Sequence, residues 1–291
     1  MSESGQADWV VTASNLTKKY GAHLALDNVQ LRIPKGRIVG LIGRNGAGKT
    51  TALKSILGLT PSSGDLRVLG LDPFKQRDQL MSDVSYIADV AVLPKWMTVR
   101  QTLEYSERCH PKFSRQAAVD SLAKTDIHLK SKVKTLSKGM VTQLHLALVM
   151  AIDARFLVLD EPTIGLDVVY RKHFYSTLLN DYFDHSRTIL VTTHQVEEIE
   201  HILTDVIFIE RGKVILADTL DQLAENYLEL HVSKDKLEAA RQLGPVTERR
   251  DLSGNILLFE HADRQALAGL GEVVTPRLAD LFVAKVTGGL Q

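Results

Sequence analysis

The sequence contains only one cysteine, Cys109, which excludes an intramolecular disulfide framework. A single thiol in 291 residues is typical of a reducing compartment. The first ten residues lack the basic-then-apolar order of a secretory signal peptide. No apolar run approaches the roughly 18 residues that a membrane-spanning helix requires. We therefore expect a cytoplasmic protein, and we expect any membrane role to pass through a partner.

A net charge is also lacking. Lysine and arginine together number 35, and aspartate and glutamate together number 35. Because a polyanion requires a basic surface, we expect no nucleic-acid partner. The hydrophobic content of 44% suits a globular protein, and 291 residues suffice for one large domain and a smaller one.

The sequence does contain a glycine-rich loop, G-R-N-G-A-G-K-T-T, between an apolar run at 38–42 and a helix-compatible run at 51–57. This strand–loop–helix context makes a GxxxxGK[ST] match a phosphate-binding prediction rather than a simple turn. The glycines allow successive N–H groups to converge on phosphate oxygens, and the helix N-terminus adds partial positive charge. The residues expected to bind a nucleotide triphosphate are Gly43, Arg44, Asn45, Gly46, Ala47, Gly48, Lys49, Thr50 and Thr51.

Within this loop, Lys49 can reach the β- and γ-phosphates, and the hydroxyl of Thr50 is placed to ligate Mg²⁺. Asp160 and Glu161 follow the apolar run 156–159, at the strand end where ligands bind in open α/β sheets. A solvated acidic pair is the simpler interpretation, but a phosphate loop upstream requires a partner carboxylate. We therefore expect Asp160 to hold Mg²⁺ through water and Glu161 to be the general base for the attacking water.

His194 ends a further strand, predicted over 189–193, and we expect it to contact the γ-phosphate as a catalytic residue. A zinc site with Glu198 or His201 is a weaker hypothesis, because His194 ends a strand and helical ligand spacing does not apply to it.

Short runs that are apolar throughout predict strands buried on both faces of a parallel sheet, so the fold class is α/β. From Thr98 to about Ile152 the pattern is helical, which predicts a helical subdomain inserted into the α/β core. Helices are also expected over 168–183 and 196–203. Beyond about Tyr227 a smaller α/β unit begins, with helices expected over 234–243 and 278–286. The predicted domains are residues 1–227, with the helical subdomain at about 90–152, and residues 228–291.

Two further features leave alternatives open on the residues alone. Tyr20 suits stacking on an adenine, but it equally suits an ordinary half-buried position at a strand end. The stretch Leu136–Met140, reading L-S-K-G-M, precedes a helix that is apolar nearly all round. Its exposed N-terminus suits an anion, and it also suits a common helix start with Ser137 as N-cap.

Together these motifs resemble the nucleotide-binding domain of ATP-binding cassette (ABC) transporters, over about residues 9–217. The loop at 43–50 matches Walker A, the run 156–161 matches Walker B, and 136–140 is similar to the signature motif. Residues 165–167 match the D-loop, His194 the switch histidine and Tyr20 the adenine-stacking aromatic. The resemblance implies a P-loop ATPase that binds ATP and Mg²⁺. It also implies a head-to-tail homodimer in which Ser137 and Gly139 of one copy contact ATP on the other.

Two departures from the family pattern stand out. Asp89 lies where the family usually has glutamine, and the resemblance implies a contact there to Mg²⁺ and the attacking water. Gln143 stands where the signature helix usually carries arginine. The C-terminal run 275–282, T-P-R-L-A-D-L-F, is similar to the ending of ATPases paired with ABC-2-type exporter permeases, including antibiotic-resistance types.

The function that the resemblance implies is an ATPase motor that drives a separately encoded membrane permease, peripheral on the cytoplasmic face of the membrane. A soluble ABC protein acting on nucleic acid or ribosomes is an alternative, but the chain has one cassette, no coiled-coil insertion and no net charge. A P-loop kinase would account for the phosphate loop but not for Leu136–Met140 or His194.

Overall fold

The computed structural model describes residues 9–87, 93–164, 166–250 and 254–288. Its centre is a six-stranded sheet in the order β5-β6-β7-β3-β8-β9, in which the first five strands run parallel and β9 is antiparallel to β8. The strands are β3 (Ile38–Ile42), β5 (Val84–Ile87), β6 (Phe156–Asp160), β7 (Thr188–Thr193), β8 (Asp205–Glu210) and β9 (Lys213–Thr219).

The strands β3, β6 and β7 are buried along their whole length. Alternate side chains enter two hydrophobic clusters on opposite faces of the sheet: Ile38 and Ile42 join one, whereas Val39 and Leu41 join the other. Burial on both faces explains why these runs are apolar throughout, and it confirms the predicted α/β class.

An antiparallel sheet in the order β2-β1-β4 covers one face together with two helices. Its strands are β1 (Trp9–Tyr20), β2 (His23–Pro34) and β4 (Ser63–Val68), and the helices are α1 (Lys49–Ile56) and α2 (Arg77–Met81). The sequence pattern predicts the first two strands over only 9–14 and 25–33, and both are longer in the structure. Strand β1 continues through Lys18 and Lys19, where the sequence pattern predicts a turn, so that Tyr20 is its last residue.

The middle of the chain is helical and has a hydrophobic cluster of its own. Its elements are α3 (Val99–Cys109), α4 (Arg115–Leu122), a 3₁₀ turn (Val133–Thr135) and α5 (Lys138–Met150). The sequence pattern also predicts Thr98 as the N-cap of this segment, and this is confirmed. Its side chain accepts a hydrogen bond from the backbone N–H of Gln101, and the side-chain oxygen of Gln101 accepts one from the backbone N–H of Thr98.

The opposite face of the central sheet is covered by α6 (Val168–Thr177), the π-helical turn Leu178–Tyr182 and α7 (Leu220–Asn226). The helix predicted over 196–203 is wrong. Two 3₁₀ turns stand there instead, Val196–Glu198 and Glu200–Ile202. The buried side chains Val196, Ile199 and Ile202 recur every three residues, and a period of three aligns them on one face of a 3₁₀ helix.

The C-terminal residues form an antiparallel sheet in the order β11-β12-β10-β13. Its strands are β10 (Tyr227–Val232), β11 (Thr247–Arg250), β12 (Asn255–Glu260) and β13 (Glu272–Val274), and the helices are α8 (Leu237–Arg241), α9 (Arg264–Ala268) and α10 (Leu278–Gly288). Helix α8 is shorter than the predicted 234–243. Helix α10 also reaches the central sheet, where the rings of Phe282 and Phe208 meet edge-on at 5.1 Å.

Candidate nucleotide-binding site

The phosphate loop joins the end of β3 to the start of α1, and its glycines are required by close backbone contacts. Gly48 has φ +113°, and a Cβ there would lie 2.7 Å from the carbonyl oxygen of Ala25. A Cβ at Gly43 would lie 2.5 Å from the carbonyl oxygen of Ile209. Both distances are impossible for a side-chain carbon, so the loop conformation depends on glycine at these two positions.

Lys49 is the first residue of α1 and is only 6% exposed. Its Nζ donates a hydrogen bond to the carbonyl oxygen of Gly43 at 2.8 Å and lies 3.3 Å from Oε1 of Glu161. A buried ammonium group is tolerated only when such partners surround it. The loop and the carboxylate therefore hold this cation in place.

Next to Lys49 is a cavity of about 410 Å³, a size typical of small-molecule sites. The predicted nucleotide-binding and catalytic residues on its wall are Tyr20, Arg44, Asn45, Gly46, Gly48, Lys49, Thr50, Thr51, Glu161 and His194. Gly43 and Ala47 do not line it. Gly43 contributes its carbonyl oxygen to Lys49, and Ala47 is buried behind the loop. Tyr20 is 47% exposed, so its ring is accessible from this cavity.

Asp160 is the last residue of β6 and Glu161 follows it directly, as expected, but they occupy different environments. Asp160 is buried and accepts a hydrogen bond from Oγ1 of Thr192 at 2.6 Å. Glu161 lies at the cavity wall with φ +48°, a left-handed conformation that is costly for a residue with a side chain. Its backbone N–H donates to the same threonine, at 3.1 Å from Oγ1. Thr192 thus orients both acidic residues.

Sequence reasoning missed Thr192. Its position relative to Asp160 depends on the register of two parallel strands, in which these residues are direct partners. The available signal was its place next to the end of β7, beside the strand that carries the acidic pair.

The carboxylate of Glu161 contacts both Lys49 and His194. Its Oε2 lies 2.8 Å from Nδ1 of His194, and its Oε1 faces Lys49. The strands that end here, β6, β7 and β3, are neighbours in the sheet and run parallel, so their carboxyl ends meet at one edge. An arrangement of this kind can bind an anionic phosphate chain and orient a water molecule for attack.

Beyond His194, a polar network that the sequence analysis did not identify connects the site to α6. Arg171 forms an ion pair with Glu198 and donates to Oε1 of Gln195 at 3.1 Å. Its Nε donates to the carbonyl oxygen of Leu166 at 2.7 Å. One guanidinium group therefore ties the D-loop to the residues that follow His194.

Ser137 and Gly139 lie at the N-terminus of α5, away from the cavity around Lys49. The side chain of Ser137 accepts a hydrogen bond from the backbone N–H of Met140 at 3.2 Å, which makes it the N-cap. A Cβ at Gly139 would lie 3.0 Å from the ring of Tyr170. Neither Ser137 nor Gly139 is among the described residues that line this cavity. A single chain does not bring both halves of the predicted site together.

Two of the residues predicted to hold Mg²⁺, Thr50 and Asp160, carry the oxygen ligands that a hard cation prefers. Thr50 offers a hydroxyl at the cavity wall, and Asp160 offers a carboxylate at the adjoining strand end. The N-cap of α1 is Gly48, so the partial positive charge at the start of the helix is not covered by a capping side chain. Asp89, the third predicted metal residue, lies outside the described residues. Among the described residues, no three His, Cys, Asp or Glu side chains cluster as a zinc site would require.

Within the ranges that the structure describes, no helix has the length and apolar character needed to cross a membrane.

Comparison with known proteins gives consistent matches. The family described as ABC transporter matches residues 26–164. The chain is 33% identical over 269 residues to the Nod factor export ATP-binding protein I of Cupriavidus metallidurans, covering 86% of each protein. It is 30% identical to the bacitracin transport ATP-binding protein BcrA of Enterococcus faecalis, covering 80% of this chain and 77% of that one. A solved ATP-binding subunit of an ABC transporter superposes with a TM-score of 0.66 at 24% identity, covering 74% of this chain and 91% of that one, which is a likeness of fold.

Proposed function

Because this chain belongs to the ATP-binding proteins of ABC transporters, we propose that it works as a homodimer that closes around ATP and drives a separately encoded exporter permease. The predicted P-loop α/β fold, ATP hydrolysis and the role in transport are confirmed by the comparisons. The observation that carries the detailed proposal is the convergence of Lys49, Glu161 and His194 on one cavity.

Each of these three residues has a distinct task in the proposed reaction. Lys49 binds oxygens of the β- and γ-phosphates, supported by the N–H groups at the start of α1. Glu161 orients the attacking water and accepts its proton. His194, held by Glu161 at 2.8 Å, contacts the γ-phosphate. When bound, Mg²⁺ would neutralise phosphate charge, and Thr50 and Asp160 are the residues that would hold it.

A second copy would supply what one chain lacks. Ser137 and Gly139 present an N-terminal helix end outside the cavity, where a phosphate on a facing subunit could meet it. The exposed apolar side chains Ile164, Val168 and Val169 flank the D-loop and are 50%, 65% and 75% exposed. Because exposed apolar clusters mark interaction surfaces, this surface supports closure against another copy.

Contact with the membrane is proposed to run through the permease, at the cytoplasmic face. The helical segment 93–152 and the region of Asp89 are the proposed contact, because the exposed side chains Trp96 and Tyr105 lie on this segment. We further propose that the ATPase domain spans 1–227 and an accessory domain 228–291, since the C-terminal sheet has a hydrophobic cluster of its own.

The test is the variant Glu161→Gln. It keeps the shape of the side chain but removes the proton acceptor, so ATP binding should persist while the hydrolysis rate falls about 100-fold or more. In the presence of ATP and Mg²⁺ the variant should elute as a dimer in size-exclusion chromatography. The matched control is Glu197→Gln, an exposed residue near the site, which should hydrolyse ATP normally. A Glu161→Gln variant that hydrolyses ATP at the normal rate, or stays monomeric with ATP bound, would contradict the proposal.

A further inference from the structure

The residues that directly follow His194, numbered 195–203 and called here the post-histidine segment, are held from two sides. On one side, Arg171 of α6 bonds Gln195 and Glu198, as described above. The buried side chains of Val196, Ile199 and Ile202 anchor the segment in the hydrophobic cluster on one face of the central sheet. Because His194 is the residue immediately before it, the placement of this segment controls where the imidazole lies.

The other side is held by the C-terminal helix α10. Oε1 of Glu200 accepts a hydrogen bond from the backbone N–H of Leu278, the first residue of α10, at 2.9 Å. The carboxylate thereby caps the helix from a distant part of the chain and places negative charge at its positive end. Leu278, Leu281 and Ala284 enter the same hydrophobic cluster as the post-histidine segment.

Helix α10 is also fixed to the C-terminal sheet. Asp280 pairs with Arg249 of β11 at 3.2 Å, and Lys285 pairs with Glu260 of β12 at 2.9 Å. One helix therefore contacts the post-histidine segment with one set of side chains and the C-terminal sheet with another. The run T-P-R-L-A-D-L-F at 275–282, which the nucleotide site leaves unexplained, leads into this helix and forms its first five residues, 278–282.

From this arrangement we infer that α10 positions His194 for ATP hydrolysis, and that Glu200 is a positioning residue through which the C-terminal unit sets the hydrolysis rate. The physical basis is the short contact of 2.8 Å between His194 and Glu161. Displacement of a reacting group by about 1 Å can cost up to about 100-fold in rate, so a segment held at both ends preserves activity. The inference rests on the proposed role of His194.

The experiment compares ATP hydrolysis by full-length Glu200→Ala, Glu200→Gln and the exposed control Glu197→Ala. Glu200→Ala removes the acceptor for the Leu278 N–H, and we expect its kcat to fall about fivefold or more while KM for ATP stays the same. Glu200→Gln keeps an acceptor oxygen and should restore kcat to within about twofold of the original protein. Val283→Ala, on the exposed face of α10, should have no effect.

Several results would overturn the inference. The first is a kcat of Glu200→Ala equal to that of Glu197→Ala, and the second is failure of Glu200→Gln to restore kcat. The third is a Glu200→Ala variant in which both the affinity for ATP and the melting temperature fall. If Glu200→Ala does not fold, Phe282→Leu replaces it, since this variant loosens α10 from Phe208 and keeps an apolar side chain. It must likewise lower kcat without changing KM. His194→Ala is measured in parallel. If this variant retains full kcat, the proposed role of His194 is wrong. If it is inactive while Glu200→Ala has a normal kcat, only the proposed role of α10 is wrong.

Discussion

The central sheet and the C-terminal sheet use polar residues in opposite ways. In the parallel sheet, β6, β7 and β3 end at one edge, so Glu161, His194 and the phosphate loop converge. In the antiparallel C-terminal sheet, neighbouring strands end at opposite edges, so strand direction does not bring their carboxyl ends together. Its buried Glu229 is instead paired within the sheet, with His231 at 2.7 Å and Arg249 at 3.2 Å. The parallel strands therefore bring polar residues together at the nucleotide site, whereas the polar residues of the antiparallel sheet stabilise that sheet.

The largest effect on the nucleotide site of the parallel sheet is expected for Lys49→Ala. Removal of the buried ammonium eliminates charge-assisted hydrogen bonds to phosphate, and we expect the Kd for ATP to rise about 100-fold. Isothermal titration calorimetry with Lys54→Ala as the matched control measures it, because Lys54 lies on the same helix and is exposed. Unchanged affinity in Lys49→Ala would remove the phosphate loop from the site.

A second test asks whether the site is divided between two copies. Ser137→Ala should reduce ATP hydrolysis by about tenfold, because it removes the N-cap that holds the start of α5. A mixture of Lys49→Ala and Ser137→Ala chains forms dimers with one intact site. We expect this mixture to hydrolyse ATP faster than either variant alone. A rate equal to the average of the two separate variants would argue against a shared site.

The aromatic at the cavity wall should have a smaller effect. Tyr20→Ala removes a ring that can stack on adenine, and we expect KM for ATP to rise about tenfold at most with kcat unchanged. Tyr20→Phe keeps the ring and should behave like the original protein. If both variants raise KM equally, the hydroxyl rather than stacking accounts for the contribution of Tyr20.

The smallest effect is expected in the C-terminal unit, as a dependence of stability on pH. Burial and a hydrogen bond to Glu260 raise the pKa of Tyr227. Burial alone would lower the pKa of Lys285, but its hydrogen bonds to Tyr227 and Glu260 outweigh this and raise it. A raised pKa stabilises the fold below the ordinary value, which is 10.0 for Tyr227 and 10.5 for Lys285, and this stabilisation is lost as pH rises through the folded value.

We therefore expect the free energy of unfolding to fall by about 0.5–1 kcal/mol above about pH 10, measured by urea denaturation. Burial alone would raise the pKa of Glu260, but hydrogen bonds from Tyr227 and Lys285 lower it, so its contribution is lost in acid instead. The variant Lys285→Met should reduce the alkaline decline. An unchanged alkaline decline in this variant would show that the pair does not contribute.

The sequence predicted the parts of the site that depend on neighbouring residues. The phosphate loop, Glu161 and His194 lie in short motifs at strand ends, and strand direction alone brings those ends together. Thr192 and Arg171 depend instead on contacts between residues about 30 positions apart, which no local pattern encodes. Strand β11, reading T-E-R-R, was missed because it is polar and mostly exposed. The role of Asp89 stays a prediction.

Helix α7 connects the central sheet to the C-terminal sheet without a loop at either end. Strand β9 ends at Thr219, α7 occupies 220–226 and β10 begins at Tyr227, so the three elements follow one another directly. A single residue inserted into α7 would turn everything beyond it by about 100° and advance it by about 1.5 Å. Such an insertion would move α10 away from the central sheet, where the rings of Phe282 and Phe208 now meet. The length of α7 is therefore a fixed requirement for the contact between the C-terminal unit and the central sheet.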